Sequence, residues 1–180
     1  MKRNPLTVKD MAYSGICAAL LSISAWISIP MPQVSFTMQS FAVFFTLGLL
    51  GGRLGVISIF IYLVMGAVGL PVFSGFRGGL GVLLGVTGGY IWGFFLAGLV
   101  YWAVTAILGH RFRIRLGAMI LAMAVCYLCG TFWYQQVYGG SLWAVISVCV
   151  LPYLIPDGVK IALAISLSGR LNRLIHKCIR

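Results

Sequence analysis

Residues 152–160 read Pro-Tyr-Leu-Ile-Pro-Asp-Gly-Val-Lys, and this stretch places two charges among apolar runs. Asp157 is one of only two acidic residues in the protein, and Lys160 follows three positions later. Residues three apart on a helix lie on one face, so the two side chains can meet. A lone charge at the centre of a bilayer costs about 2.5–3.5 kcal/mol. The pair is therefore either a buried ligand site or a self-neutralising pair that fixes a helix end.

The composition of the whole chain is that of a membrane protein. Of its 180 residues, 61% are hydrophobic and 8% are charged. This predicts an all-α polytopic membrane protein, with residues 1–180 forming a single membrane domain. The net charge of +11 does not indicate a nucleic-acid partner, because the basic residues cluster at the ends of apolar segments, where they meet the lipid bilayer surface. Most of the five cysteines lie inside apolar segments, which argues against a disulfide framework.

The apolar segments predict six transmembrane helices. The first segment is long enough to span, so we interpret it as an uncleaved first helix rather than a signal peptide. Residues 142–151 are apolar but too few to span, which predicts a half-helix or re-entrant segment before helix 6. The predicted helices cover residues 9–29, 36–50, 54–70, 81–108, 116–133 and 157–174, with a tight turn at 51–53.

The basic residues predict the orientation. Six spans place both termini on one side, which would carry eleven basic residues against Arg77 alone on the other. The positive-inside rule then predicts cytoplasmic termini, in a multi-pass protein of a bacterial cell membrane. Asp157 would lie about 20 Å from Arg170 in the direction of the external membrane face, at the N-cap or first turn of helix 6. The eleven residues are Lys2, Arg3, Lys9, Arg53, Arg111, Arg113, Arg115, Arg170, Arg173, Lys177 and Arg180.

Loops 30–36, 71–80 and 134–156 are predicted to roof an outward-facing pocket. Its ligand should be small, partly apolar, and able to use both a donor and an acceptor. Small residues at positions 81, 85, 89, 93 and 97 leave one face of predicted helix 4 open to helix packing or to ligand approach. The polar groups expected there are Gln39, Thr37, Ser74, Thr87, Tyr90, Tyr153, Asp157 and Lys160, with Phe73 and Phe76 as aromatic walls.

Catalytic and metal sites are not indicated by the sequence. Cys126 and Cys129 form a C-x-x-C pair, but no second pair and no nearby histidine completes the four ligands of structural zinc. No G-x-x-x-x-G-K-[ST] run occurs, so the chain does not bind ATP through a P-loop. With Asp10 and Asp157 as the only acids, most hydrolytic mechanisms lack their groups. We therefore predict no enzyme activity, no metal and no cofactor.

Small residues recur every four positions on predicted helix 1, in two registers. One register is Ser14, Ala18 and Ser22, and the other is Gly15 and Ala19. Such stripes let another helix approach closely. The stripe predicts either packing within the bundle or a docking face for a partner.

Four segments, taken together and in order, resemble the BioY family, the biotin-binding S components of energy-coupling-factor (ECF) transporters. They are residues 36–41 (FTMQSF), 66–73 (GAVGLPVF), 87–90 (TGGY) and the stretch 152–160. The resemblance covers nearly the whole chain; T-G-G-Y alone is weak, whereas the set is specific. Val86 and Ser35 stand where the family usually has proline, which affects the expected loop geometry.

The resemblance implies a six-helix subunit that captures extracellular biotin and works with a transmembrane T component and two ATPase subunits. It implies biotin contacts at the D-x-x-K element, in the loop after helix 3 and around T-G-G-Y, and docking of the T component on the helix 1 stripe. The predicted ligand-binding residues are Asp157, Lys160, Tyr90, Thr87, Gly88, Phe73, Phe76, Gln39 and Tyr153.

The chemistry of the predicted site suits biotin. A carboxylate can accept the ureido N–H donors in charge-assisted hydrogen bonds. A valerate carboxylate beside Asp157 would be repelled, so we expect the ureido end there. Two alternatives remain: a solitary secondary transporter or channel for biotin or another small vitamin, disfavoured because no inverted repeat is evident, and a membrane enzyme, disfavoured by the scarcity of catalytic groups.

Overall fold

The computed structural model of the protein describes residues 6–31, 34–139 and 141–178. Within them the chain is helical apart from short connections and one two-stranded antiparallel hairpin, which pairs Ser28 with Thr37 and Ile29 with Phe36. The elements are α1 Val8–Trp26, β1 Ser28–Ile29, β2 Phe36–Thr37, α2 Gln39–Ala67, α3 Leu80–Leu83, α4 Gly88–Leu108, α5 Phe112–Tyr138, α6 Leu142–Cys149 and α7 Leu151–Cys178.

Helix α1 begins with a capping box. The Thr7 hydroxyl accepts a hydrogen bond from the Asp10 backbone N–H at 3.2 Å, and the Asp10 carboxylate accepts one from the Thr7 N–H at 3.0 Å. This satisfies two donors that the first turn leaves unpaired, and it puts a negative charge at the positive end of the helix dipole. The helix ends at Trp26, before the predicted boundary at 29, because the chain turns into β1.

Helix α2 reverses direction at Gly51, where φ is 79° and ψ is 177°. The Gln39 side-chain amide donates to the Tyr62 hydroxyl at 2.8 Å, although a straight helix would separate these residues by about 35 Å. The two halves of α2 therefore form a hairpin, and its turn coincides with the one predicted at 51–53. The positive φ favours glycine, which has no Cβ to clash. The predicted start at Phe36 is wrong, since residues 36–37 form β2.

The predicted helix over 81–108 is wrong at its first turns. Helix α3 ends at Leu83, and α4 begins only at Gly88. The run is rich in glycine, and each glycine lowers helix stability by about 1 kcal/mol relative to alanine. The indole N–H of Trp133 donates to the Gly85 carbonyl at 3.0 Å, so the broken backbone has a partner. Residues 81 and 85 therefore do not share a helix face with residues 89 and 93.

The last three helices also differ from their predicted bounds. Helix α5 extends beyond the predicted 116–133 at both ends, and α6 matches the expected half-helix. Helix α7 begins at Leu151, not at 157. Pro152 lies in its first turn, where backbone N–H groups have no helical partner anyway. Pro156 removes one interior hydrogen bond without ending the helix. Asp157 is therefore inside α7, and its prediction as an N-cap is wrong.

Among the described residues, four helical segments are long and apolar enough to cross a membrane. They are Gln39–Ala67, Gly88–Leu108, Phe112–Tyr138 and Leu151–Arg173, with mean hydropathies of 2.0, 2.0, 1.9 and 1.3. The protein is thus a multi-pass helical membrane protein, while the count of six spans and the orientation stay predictions. Among the basic residues used for the orientation, Lys2, Arg3 and Arg180 lie outside the described residues.

The core lies where the other long helices pack around α2. Helices α1, α4 and α7 all contact α2, and α4 also packs along α5. Leu21, Phe44, Ile59 and Met119 are fully buried at these contacts. Gly93 of α4 lies so close to α5 that an added Cβ would be 3.0 Å from the Cys126 sulfur. This close packing holds the starts of α2, α4 and α7 around one cavity.

Candidate ligand-binding site

The cavity lies among the starts of α2, α4 and α7, the middle of α5, and the segments around residues 34–37 and 73–77. Its lining is partly apolar and aromatic, with Ile91, Phe94 and Met123 on the walls. Seven of the nine predicted ligand-binding residues line it, as do the predicted polar residues Thr37 and Ser74. The seven are Gln39, Phe73, Thr87, Tyr90, Tyr153, Asp157 and Lys160.

Asp157 and Lys160 form an ion pair on one face of α7. The Lys160 Nζ lies 2.9 Å from Asp157 Oδ1, as the i, i+3 spacing predicted. Both residues are buried, with 6% and 5% of their surface exposed. The Ser40 hydroxyl donates to the same oxygen at 2.9 Å, and the Tyr127 hydroxyl donates to Oδ2 at 2.6 Å. The carboxylate is therefore compensated by three donors from three different helices, as a buried charge requires.

The Lys160 ammonium has acceptors for all three of its protons. It donates to the Thr37 carbonyl at 2.7 Å, to the Ser40 hydroxyl at 3.1 Å and to Asp157. Its Nζ also lies 3.8 Å from the centroid of the Phe36 ring, a cation–π contact. The lysine therefore fastens the β2 segment to α7 as well as neutralising the carboxylate.

A second contact fastens the same segment to α7. The Tyr153 ring stacks on Phe36 with centroids 6.1 Å apart, and its hydroxyl donates to the Val34 carbonyl. Tyr153, Asp157 and Lys160 are spaced at i, i+4 and i+7, so they share one face of α7. The Phe36 ring is consequently held between a tyrosine and an ammonium beside the ion pair.

Gln39 and Phe73 line the cavity and both contact Tyr62 of α2. The Gln39 amide donates to Tyr62, whose hydroxyl donates to the Val72 carbonyl at 3.2 Å. The Phe73 ring meets Tyr62 edge-on, with centroids 5.4 Å apart. A Cβ on Gly66 would lie 2.0 Å from the Phe73 ring, so glycine is required where this ring packs on α2.

Arg77 lines the cavity beside Phe73. The backbone of the two residues forms an antiparallel bridge, with the Phe73 N–H donating to the Arg77 carbonyl at 2.9 Å. The Arg77 Nε donates to the Ser74 carbonyl at 3.3 Å. Arg77 is not part of the ion pair in the lining, which joins Lys160 and Asp157. The lining therefore carries a net charge of +1.

Two predicted ligand-binding residues do not line the cavity. Phe76 has a left-handed φ of 56°, is 65% exposed, and stacks on Trp26 with centroids 5.0 Å apart. Its prediction as a cavity wall is wrong, because the turn directs the ring away. Gly88 is buried beneath α3, where a Cβ would lie 2.0 Å from the Leu83 carbonyl oxygen. Its glycine is needed for this backbone approach.

The sequence interpretation did not name six polar or aromatic lining residues, although one of them, Arg77, lies in the loop after helix 3 that it implicated. The six are Ser35, Phe36, Ser40, Arg77, Phe94 and Tyr127. Phe36 and Ser40 flank Gln39 within the 36–41 segment, so the segment pointed near them. Tyr127 lies inside the C-x-x-C run that was considered only as a metal site. A hydroxyl within an apolar helix was the available signal, since such groups usually bond to another helix.

The two registers of the α1 stripe have different surroundings. Ser14, Ala18 and Ser22 are 1%, 1% and 4% exposed within the chain. These three residues pack inside the protein, so their burial does not support a docking role. Gly15 and Ala19 are exposed, and an added Cβ at Gly15 would meet nothing within 4 Å.

Comparison with known proteins gives consistent matches. The BioY family model matches residues 1–177. The biotin transporter BioY of Thermotoga maritima is 35% identical over 167 residues, covering 93% of this chain and 98% of that protein. A probable biotin transporter BioY of Pyrococcus horikoshii is 37% identical over 171 residues, with the same coverage. The crystal structure of the S-component for biotin from an ECF-type ABC transporter superposes with a TM-score of 0.85 at 25% identity, covering 94% of this chain and 95% of that one.

Proposed function

The chain belongs to the BioY family, and from this premise we propose that it is the S component of an ECF-type importer and captures extracellular biotin. Its relatives are named biotin transporters, and the superposed structure is an S-component for biotin. The observation in this chain that carries the proposal is the buried Asp157–Lys160 pair, which lines a cavity with apolar and aromatic walls.

We propose that biotin binds with its ureido ring at Asp157 and its valerate carboxylate at Arg77. The Asp157 carboxylate can accept a ureido N–H in a charge-assisted hydrogen bond, and it would repel the ligand's own carboxylate. Arg77 supplies the positive charge that no acid balances among the described residues. The net charge of +1 in the lining then matches a ligand of charge −1. The thiophane ring would lie between these ends, against Phe73 and Phe94.

Six spans follow if the two halves of the α2 hairpin each cross the membrane. The others would be α1, α4, α5 and α7. The 19 residues of α1 extend about 28 Å, close to the roughly 30 Å of a hydrocarbon core. The excess of basic residues would then favour cytoplasmic termini and an external position for Arg77. This orientation supports an entrance to the cavity from the external side.

Transport requires partners in this proposal. The sequence has no P-loop, so the energy of ATP hydrolysis would come from two ATPase subunits through a transmembrane T component. We propose that the T component docks on the face of α1 that is exposed in the isolated chain, at Gly15 and Ala19. Small exposed residues one turn apart allow a second helix to approach the backbone closely.

Isothermal titration of the purified, monodisperse chain with biotin tests the binding function. We expect saturable heat at a stoichiometry of one biotin per chain, and no heat with biotin methyl ester at concentrations that saturate with biotin, since the ester lacks the charge for Arg77. Absence of biotin binding would contradict the proposal. Uptake of labelled biotin by liposomes that hold this chain alone would favour the solitary transporter instead.

A further inference from the structure

The Asp157 carboxylate has nearly exhausted its capacity to accept hydrogen bonds. Two oxygens offer about four lone-pair sites. Oδ1 accepts from Lys160 and Ser40, and Oδ2 accepts from Tyr127. One site remains, and it is on Oδ2, the oxygen that Tyr127 contacts.

Lys160 has no donor to spare in this arrangement. Its three protons go to the Thr37 carbonyl, the Ser40 hydroxyl and Asp157. The ion pair therefore presents a ligand with one open acceptor site and no open donor. An N–H group satisfies that site, whereas a carbonyl or carboxylate oxygen does not.

We propose that Tyr127 is a positioning residue that fixes Asp157 Oδ2 so that its remaining lone pair accepts one ureido N–H of biotin. This inference rests on the proposed biotin-binding function. The terminal torsion of an aspartate is broad, and Lys160 and Ser40 hold only Oδ1. The bond from Tyr127, at 2.6 Å, comes from α5 and holds the second oxygen. Both Tyr127 and Asp157 line the cavity, so this hydrogen bond joins two residues of its wall.

Tyr127→Phe tests the role while keeping the aromatic ring. We expect biotin affinity to fall about tenfold, the scale of one hydrogen bond to a charged group. Tyr134→Phe is the matched control: Tyr134 lies two turns further along α5, is 3% exposed, contacts the Tyr138 ring at 5.2 Å, and is not in the cavity lining. Removal of the Tyr134 hydroxyl should leave biotin affinity unchanged.

A double-mutant cycle separates positioning from a general structural effect. If Tyr127 acts through the carboxylate, Tyr127→Phe should change affinity less than twofold in an Asp157→Asn background, because contacting residues are coupled and independent ones add. The same fold loss in both backgrounds would overturn the proposal, and so would equal affinities for Tyr127→Phe and Tyr134→Phe.

The ligand offers a test that needs no variant. Biotin can carry one methyl group on either ureido nitrogen. With a single open acceptor site, one of the two methylated biotins should lose at least tenfold in affinity and the other much less. Equal affinity for biotin and both derivatives would refute the single-site account even if Tyr127→Phe did not fold. If the unmodified chain does not bind biotin at all, the proposed function fails instead.

Discussion

Two polar clusters join the helices of this protein, and they differ in charge balance. The Asp157 cluster consists of Ser40, Tyr127, Asp157 and Lys160, and it contains one charge of each sign. The Arg115 cluster lies further along the same helices, since its Ser168 follows Lys160 by about 12 Å of α7. It contains a single cation and only neutral acceptors.

Arg115 contacts three helices through its guanidinium. It donates to the Gly48 carbonyl at 2.6 Å, to the Ser168 hydroxyl at 3.4 Å and to the Tyr101 hydroxyl at 3.4 Å. The Asn172 amide donates to the same Gly48 carbonyl at 3.3 Å. In the described part of the chain, Arg115 forms no ion pair, and none of these residues lines the cavity.

The difference shows that an ionisable residue in a membrane protein is not by itself a ligand site. Both clusters hold together the helices α2, α5 and α7. Only the Asp157 cluster borders a cavity and retains an open acceptor for a ligand. We therefore assign ligand recognition to the Asp157 cluster and the joining of helices to the Arg115 cluster. The two assignments predict different effects of substitution on biotin affinity.

Asp157→Asn should have the largest effect. It removes the charged acceptor while keeping the side-chain volume, so biotin affinity should fall at least tenfold, or about 1.4 kcal/mol. It also leaves the Lys160 ammonium buried without its counter-ion, which costs roughly 3–5 kcal/mol when one partner of a buried pair is removed. Titration and thermal unfolding in the same detergent measure both changes.

A second substitution separates these two effects. Adding Lys160→Met to Asp157→Asn removes the unpaired charge, so thermal stability should recover while affinity does not. Unchanged affinity in monodisperse Asp157→Asn protein would show that the ion pair is structural and that the two clusters do not differ in function.

Arg115→Lys should lower stability without changing affinity. A lysine keeps the charge but cannot reproduce the planar fork that reaches three acceptors. The lost contacts predict about 1–3 kcal/mol of destabilisation, visible as a lower unfolding temperature, with biotin affinity within twofold of the parent. Arg113→Lys on the exposed side of the same helix is the matched control and should change neither. A tenfold loss of affinity in Arg115→Lys would mean that the Arg115 cluster shapes the cavity.

Ala19→Trp should have the smallest effect on the isolated chain, because Ala19 belongs to neither cluster and is exposed. Affinity and unfolding temperature should stay at parent values, while assembly with the T component, followed by co-purification, should be lost. Ala18→Trp is the contrasting control: Ala18 is 1% exposed, so its tryptophan should destabilise the chain itself. Assembly that survives Ala19→Trp would place the docking face elsewhere.

The sequence could predict contacts in the site between residues that are close together along one helix. The contact between Asp157 and Lys160 follows from three positions along one helix, and the structure confirms it at 2.9 Å. Ser40 and Tyr127 lie 117 and 30 residues from Asp157 along the chain, and they reach it only through the packing of three helices. The residue pattern within a single helix cannot predict contacts between different helices.

Helix ends were predicted less well than helix existence. The prolines at 152 and 156 indicated a break, yet the first lies where its missing N–H has no consequence and the second costs one hydrogen bond. The spacing of the glycines before residue 88 was compatible with a helix, but glycine residues lower the stability of a helix. Phe76 failed as a wall because its direction depends on one left-handed φ of 56°, which residue type does not reveal.

The separation in sequence between the two sides of the site has a consequence for biosynthesis. Gln39 and Tyr62 bond within one hairpin, so this wall can form as soon as α2 has entered the bilayer. Lys160 reaches back 123 residues to Thr37, and α7 leaves the ribosome after the other described helices. A nascent chain that has not yet released α7 holds the Ser40 and Tyr127 hydroxyls but no charge to organise them. If Asp157 recognises biotin as proposed, recognition begins only when α7 inserts, and partly made chains do not compete for the vitamin.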